Sequence, residues 1–202
     1  MNNENTSTKP SEMDPKDLPD VRAFNDEFTR DFLQSIEETR EGYYPFLSGT
    51  GAYKMDFPAG GVIGERAYAQ RDKGYEEYPI HIKNENGTGS IISINYYSSH
   101  KVEKVESYMD NLEDRLGREV EFKKLEGNGE KQSIYYADFE RNGFHTYSSY
   151  IQNEKNNGGI EAVYQIDCRG EQGEKCKKNK ETDKNRIIEW MESVQFINAG
   201  QE

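Results

Sequence analysis

The chain is 202 residues long, which suits one domain with a core of useful size. Hydrophobic residues make up only 33% of it while aromatics reach 12%, so 14 Tyr and 9 Phe must do much of the burying that Leu and Val usually do. The net charge of −12 sets nucleic acid and anionic lipid surfaces aside as partners, and no run of about 18 apolar residues offers a membrane span.

Residues 1–20 (MNNENTSTKPSEMDPKDLPD) hold Asn, Ser, Thr, Pro and acids, with little to bury. They are expected to form a disordered acidic tether, and residues 21–202 a single α+β domain. A first helix is predicted over 20–40, capped by Asp20, with Val21, Phe24, Phe28, Phe32 and Ile36 on one stripe. Residues 42–51 (GYYPFLSGTG) read as a connector. Tyr53, Met55 and Phe57 then alternate as a strand that ends at Pro58, and AGGVIG reads as a turn and short hairpin return. Tyr78, Ile80 and Ile82 alternate, as do Ile92, Ile94 and Tyr96; Asn86-Gly87 between them makes this the clearest hairpin of the chain.

A second helix is predicted over 102–116, with Val105, Tyr108, Met109, Leu112 and Leu116 on one stripe and Gly117 as its stop. Four strand-like runs follow at 120–125, 133–139, 144–151 and 160–167, separated by GNGE, ERNG and NEKNNGG, as in an antiparallel meander. A third helix is predicted from about Thr182, followed by a short strand at 195–197. The order helix, strands, helix, strands, helix disfavours a doubly wound parallel sheet. It favours an antiparallel sheet of about six or seven strands with helices on its faces, an α/β/α sandwich.

The two cysteines, Cys168 and Cys176, stand at the feet of a Gly-rich charged segment read as a surface loop. A disulfide across it is favoured and implies an oxidising compartment; free or metal-binding thiols are the alternative, although no His lies near and the spacing exceeds that of C-x-x-C. His81, His100 and His145 have no spacing that requires convergence on a metal. No G-x-S-x-G, H-E-x-x-H or phosphate-loop pattern occurs, so neither a catalytic residue nor a cofactor is expected. Glu76 and Glu77 read as ordinary surface carboxylates. Tyr96, Tyr97, Tyr135, Tyr136, Tyr147 and Tyr150 fall in predicted strands, and adjacent ones must point to opposite sheet faces. Where helices leave a face open, they would present an aromatic, polar-tipped binding surface.

Two resemblances sharpen the expectation. Residues 1–20 resemble the spacer that follows the lipidated Cys of mature bacterial lipoproteins, with Met1 standing at or near that Cys. The strand Tyr53 to Pro58 with its Gly-containing turn, the helix at 102–116, and a closing helix that runs into Ser193 to Phe196 resemble the PsbP/Mog-like α/β sandwich across residues 50–197. That resemblance implies a non-catalytic accessory, scaffold or binding module. The expected protein is therefore a monomeric extracytoplasmic domain of a Gram-positive-type lipoprotein. It is held at the outer face of the membrane only by an N-terminal lipid and binds a protein or cell-wall component. An envelope-acting hydrolase and a small-ligand carrier or sensor are the alternatives.

Overall fold

A computed structural model describes residues 8–125 and 131–198. Within the expected tether, Pro10–Glu12 and Pro15–Asp17 form short 3-10 turns and Pro10 is buried, while residues 1–7 lie outside the described part. The predicted break GNGE also lies outside it.

The helix expected over 20–40 is two single turns, α1 (Arg22–Asn25) and α2 (Glu27–Arg30), followed by extended chain. The stripe exists, but Asp26 interrupts it. Its backbone is extended (φ −94°, ψ 118°) and its carboxylate accepts the Thr29 N–H at 2.8 Å, capping the second turn and ending the first. Beyond Arg30 the aromatic side chains find better partners than a continued helix offers. Phe32 stacks on Phe46 at 5.6 Å, and Leu33 bridges to the same residue. Ile36, at the end of the stripe, stays exposed.

The supposed connector at 42–51 contains a strand, β1 (Tyr43–Leu47). It contains Pro45, and β1 is the edge of a three-stranded sheet, where a residue without an N–H is tolerated. This small sheet has the order β1-β2-β11, with β2 (Tyr53–Pro58) in the middle and β11 (Gln195–Phe196) closing it from the far end of the chain. After β2, β3 (Gly61–Ile63) does not fold back on β2 as expected. It pairs with β5 (Tyr75–Lys83) and so carries the chain into a second, larger sheet.

That sheet is antiparallel with eight strands. Its order is β3-β5-β6-β10-β9-β8-β7, with β4 (Ala69–Arg71) also on β5. The hairpin of β5 and β6 (Gly89–Tyr97) forms as expected, with Gly87 at φ 80° in its turn. The meander of β8 (Gln132–Arg141), β9 (Phe144–Asn153) and β10 (Gly159–Asp167) also forms, and its first turn is Asn142-Gly143 with both residues at positive φ. Of the run at 120–125 only β7 (Lys123–Lys124) pairs. Helix α3 (Val105–Leu116) ends at Gly117 in the left-handed region, as predicted. The expected α+β sandwich is thus present, with the expected strands divided between two sheets.

The inner face of the large sheet carries Tyr78, Ile80, Ile92, Ile94, Ala162 and Ile166, all buried. Rings of the small sheet pack on one half of this face: Phe46 lies 5.9 Å from Tyr78, and Tyr53 lies 5.6 Å from Tyr96. Helix α4 (Gln172–Ser193) covers the other half with Cys176, Ile187, Trp190 and Met191. It starts ten residues before the predicted helix, because its first three turns are almost wholly polar and show no apolar stripe to read.

Cys168 and Cys176 are disulfide-bonded, but not as the feet of a loop. Cys168 follows β10, and Cys176 lies inside α4, so the bond ties the polar start of the helix to the sheet. The enclosed segment is short, so Cys168→Ser with Cys176→Ser should cost about 2.5 kcal/mol in the chain-entropy model. Amide exchange should locate the loss in the first two turns of α4, with exchange near Trp190 changed only as far as global stability falls.

Candidate functional site

The six tyrosines singled out above divide between the two sheet faces as their alternation requires. Tyr96, Tyr136 and Tyr147 point into the core and are buried. Tyr97, Tyr135 and Tyr150 lie on the outer face, where Tyr150 is fully buried and the other two half-buried. Among the described residues, then, this face presents two half-buried tyrosines rather than a row of exposed ones, and α3 with the segment leading into it covers Tyr150.

His100 is the hub of that closure. Its ring is stacked between Tyr97 (4.4 Å) and Tyr108 (3.6 Å), nearly parallel to both. Its Nδ1 lies 3.1 Å from the Tyr150 hydroxyl, which donates to Gln152 Oε1 at 2.7 Å. Two turns beyond Tyr108 along the helix, Arg115 pairs with Glu161, a buried carboxylate near the start of β10. Burial first, and Arg115 second, lower the His100 pKa to about 4. The unfolded chain binds this proton near pH 6.5 and the folded chain only near pH 4. His100 therefore contributes fully above pH 6.5, and its contribution is lost as pH falls from 6.5 through 4. The loss should reach about 3 kcal/mol at most. His145, whose pKa is lowered by burial and by Lys180, adds in the same direction. Urea midpoints between pH 7 and pH 4 should fall more steeply for the wild type than for His100→Gln.

Glu76 is the residue that sequence reasoning misplaced. Glu77 is exposed, as expected of a surface carboxylate, but Glu76 is 0% exposed. Its carboxylate accepts from the Gly49 N–H (2.8 Å), the Thr50 hydroxyl (3.1 Å) and N–H (3.4 Å), and the Tyr68 hydroxyl (3.0 Å). Beside it the Tyr53 and Tyr78 hydroxyls are 2.7 Å apart, and burial, followed for Tyr78 by the Glu76 charge, raises both pKa values well above the ordinary range. The signal was in the sequence: position 76 has the same parity as Tyr78, Ile80 and Ile82, so it must face inward.

The histidines come from separate elements, with His81 exposed on β5. Among the described residues no three His, Cys, Asp or Glu side chains come together as a metal site. A cavity of about 420 Å³ lies beside the disulfide, between the β8–β9 turn and the start of α4, with His145, Lys177 and Lys180 on its wall.

A larger groove of about 670 Å³ opens where the N-terminal segment, the start of β1, the end of β2 and the β5–β6 hairpin meet. Tyr43 and Tyr164 are its buried aromatic walls. Arg40 lies over the Tyr43 ring, its Cζ 3.5 Å from the centroid, with Nε donating to Asp56 at 2.7 Å and Nη1 to Glu189 at 3.4 Å. Arg186 reaches in from α4 and donates through Nη2 to Asp183 at 2.8 Å. Burial is the larger effect on both phenols, raising the Tyr43 pKa and taking that of Tyr164 up to about 12; the Arg186 charge opposes it at each. Two donors remain: the buried Nη2 of Arg40 and the buried Nε of Arg186 meet no acceptor among the described residues.

Residues 19–195 match the family YvcA_Mog1p, described as "Putative lipoprotein YvcA". The chain belongs to that family. The protein "Putative lipoprotein YvcA" of Bacillus subtilis (strain 168) is 28% identical over 207 residues, an alignment that covers 96% of this chain and 85% of the relative. Among solved structures, a protein from Bacteroides thetaiotaomicron VPI-5482 aligns over 81% of this chain with a TM-score of 0.44 and 13% identity. The alignment spans about half, 51%, of that protein. Lipoprotein-family membership agrees with the likeness seen in the first residues. The matched span takes in every wall of the groove, and no helix among the described residues is long and apolar enough to cross a membrane.

Proposed function

We propose that this chain is the extracytoplasmic domain of a membrane-anchored lipoprotein and that it acts by binding, without catalysing a reaction. The observation that carries the reading is the Cys168–Cys176 disulfide in a member of a lipoprotein family. Such a bond is favoured where thiols are oxidised, outside the cytoplasm. The domain stands on the outer face of a Gram-positive-type membrane, held by an N-terminal lipid, with the first residues as spacer. Its α+β sandwich supports kinship with the PsbP/Mog-like modules, whose work is mostly accessory. It acts as a monomer on a protein or wall component. The groove, with its aromatic walls and two unused donors, is a better place for contact than the half-buried tyrosines Tyr97 and Tyr135.

The test is to express the complete gene in a Gram-positive host, fractionate the cells, weigh the processed protein and count its thiols. A membrane-fraction product carrying a lipid mass and no free thiol supports the proposal. A cytosolic product with two free thiols defeats it.

A further inference from the structure

We propose that the groove binds the carboxylate end of a small molecule of peptide size, which rests on the binding reading above and names the ligand class for the same site. Its volume of about 670 Å³ lies in the range of small-ligand pockets. Its inner wall is built for an oxyanion. Arg40 and Arg186 are held in place, one by the Tyr43 ring, Asp56 and Glu189, the other by Asp183, so neither has to be ordered when a ligand arrives. Their side chains keep 28% and 26% exposure at the groove wall, although the two unused donor atoms themselves lie beneath its surface. Each also holds back one nitrogen donor, the Nη2 group of Arg40 and the Nε–H of Arg186, that meets no acceptor among the described residues. A carboxylate that reaches either donor satisfies it while the guanidinium keeps its present partners, and a charge-assisted hydrogen bond there is worth more than a neutral one.

The rim selects the charge. Asp20, Glu41 and Glu85 are exposed there beside Arg22 and Lys83, so the entrance carries more acid than base. A phosphate dianion must pass three carboxylates and is repelled about twice as strongly as a monoanion. The same carboxylates suit an amine on the far end of the ligand. A zwitterion with its carboxylate inward and its ammonium at the rim therefore matches the groove from both ends.

The side-chain Nε–H signals of arginine in a 15N–1H correlation spectrum report this directly. The full chain is titrated to about 10 mM with alanyl-alanine, with alanyl-alanine amide, and with inorganic phosphate. The expected result is a saturable shift of the Arg186 Nε–H with the dipeptide, a dissociation constant of about 1 mM or tighter, and at least about tenfold weaker binding of the amide and of phosphate. Arg186→Lys, checked for wild-type circular dichroism, should weaken the accompanying shifts of the Gly42 and Gly60 amides about tenfold. A dipeptide that gives no saturable shift overturns the proposal. So does an amide that binds as well as the free acid, or phosphate that binds more tightly than the dipeptide. None of these failures touches the envelope location, which fractionation and the thiol count decide separately.

Discussion

Trp190→Ala should lower the unfolding free energy by about 4 kcal/mol, the largest effect of any single truncation in this chain. Trp190 is 1% exposed, the largest fully buried side chain, and it sits where α4 meets β10, edge-on to Tyr164 at 6.0 Å. Helix α4 packs against β2, β9 and β10, and elements fixed in two sheets cannot all collapse into the space that an alanine leaves. The indole has one further property: its Nε1–H is buried and meets no acceptor among the described residues. Trp190→Phe removes that unsatisfied donor together with part of the ring, and the two changes oppose each other. It should cost less than about 2 kcal/mol, well under half of the alanine effect. Urea denaturation of the three proteins at one pH measures both numbers. A phenylalanine variant as unstable as the alanine variant would mean that Nε1 has an acceptor after all.

Glu76→Ala should cost about 3 kcal/mol, although it deletes a buried charge, a change that in isolation would be favourable. The carboxylate accepts from four donors on two segments; its removal strips the Gly49 N–H of its acceptor and leaves the Thr50 and Tyr68 hydroxyls only Ser48 Oγ and Gln70 Oε1 as neighbours. More than local bonding is lost, because the Ser48–Thr50 turn joins β1 to β2. Glu76 is therefore a polar fastening between the small sheet and the large one, beside the Tyr53–Tyr78 hydroxyl contact. Glu76→Gln keeps the shape and one acceptor oxygen but loses the charge, and should fall between alanine and wild type. A double-mutant cycle with Tyr68→Phe should show a coupling of about 1 kcal/mol. Additive effects would show that the Tyr68 contact carries no energy.

These two residues mark what the sequence makes visible. Trp190 belongs to a helix whose second half shows its apolar face in Ile187 and Met191, so that half is readable. The first half is not, because a disulfide does the work that an apolar stripe does elsewhere. The β5–β6 hairpin and Gly117 are legible because the determining chemistry is local: a left-handed glycine, an Asn-Gly turn and strict alternation. Asp26 ends a helix by capping the next turn, an effect that periodicity does not record. Glu76 is betrayed by its parity but lost when judged by residue type alone. The groove was beyond reach, since Asp20, Arg40, Pro58, Lys83, Tyr164 and Arg186 meet only after both sheets and α4 are in place.

The small sheet also sets an order of assembly. β2 obtains its second neighbour from Gln195 and Phe196, about 140 residues later in the chain, and until then one of its edges is an unpaired row of peptide groups. A chain that emerges from its N-terminus can close the β5–β6 hairpin and the meander from local contacts, but it must wait for its last residues before the small sheet is complete. The interval between making β2 and making β11 is the period when this protein is most open to wrong pairing. A chain stopped just short of residue 195 would stay in that state.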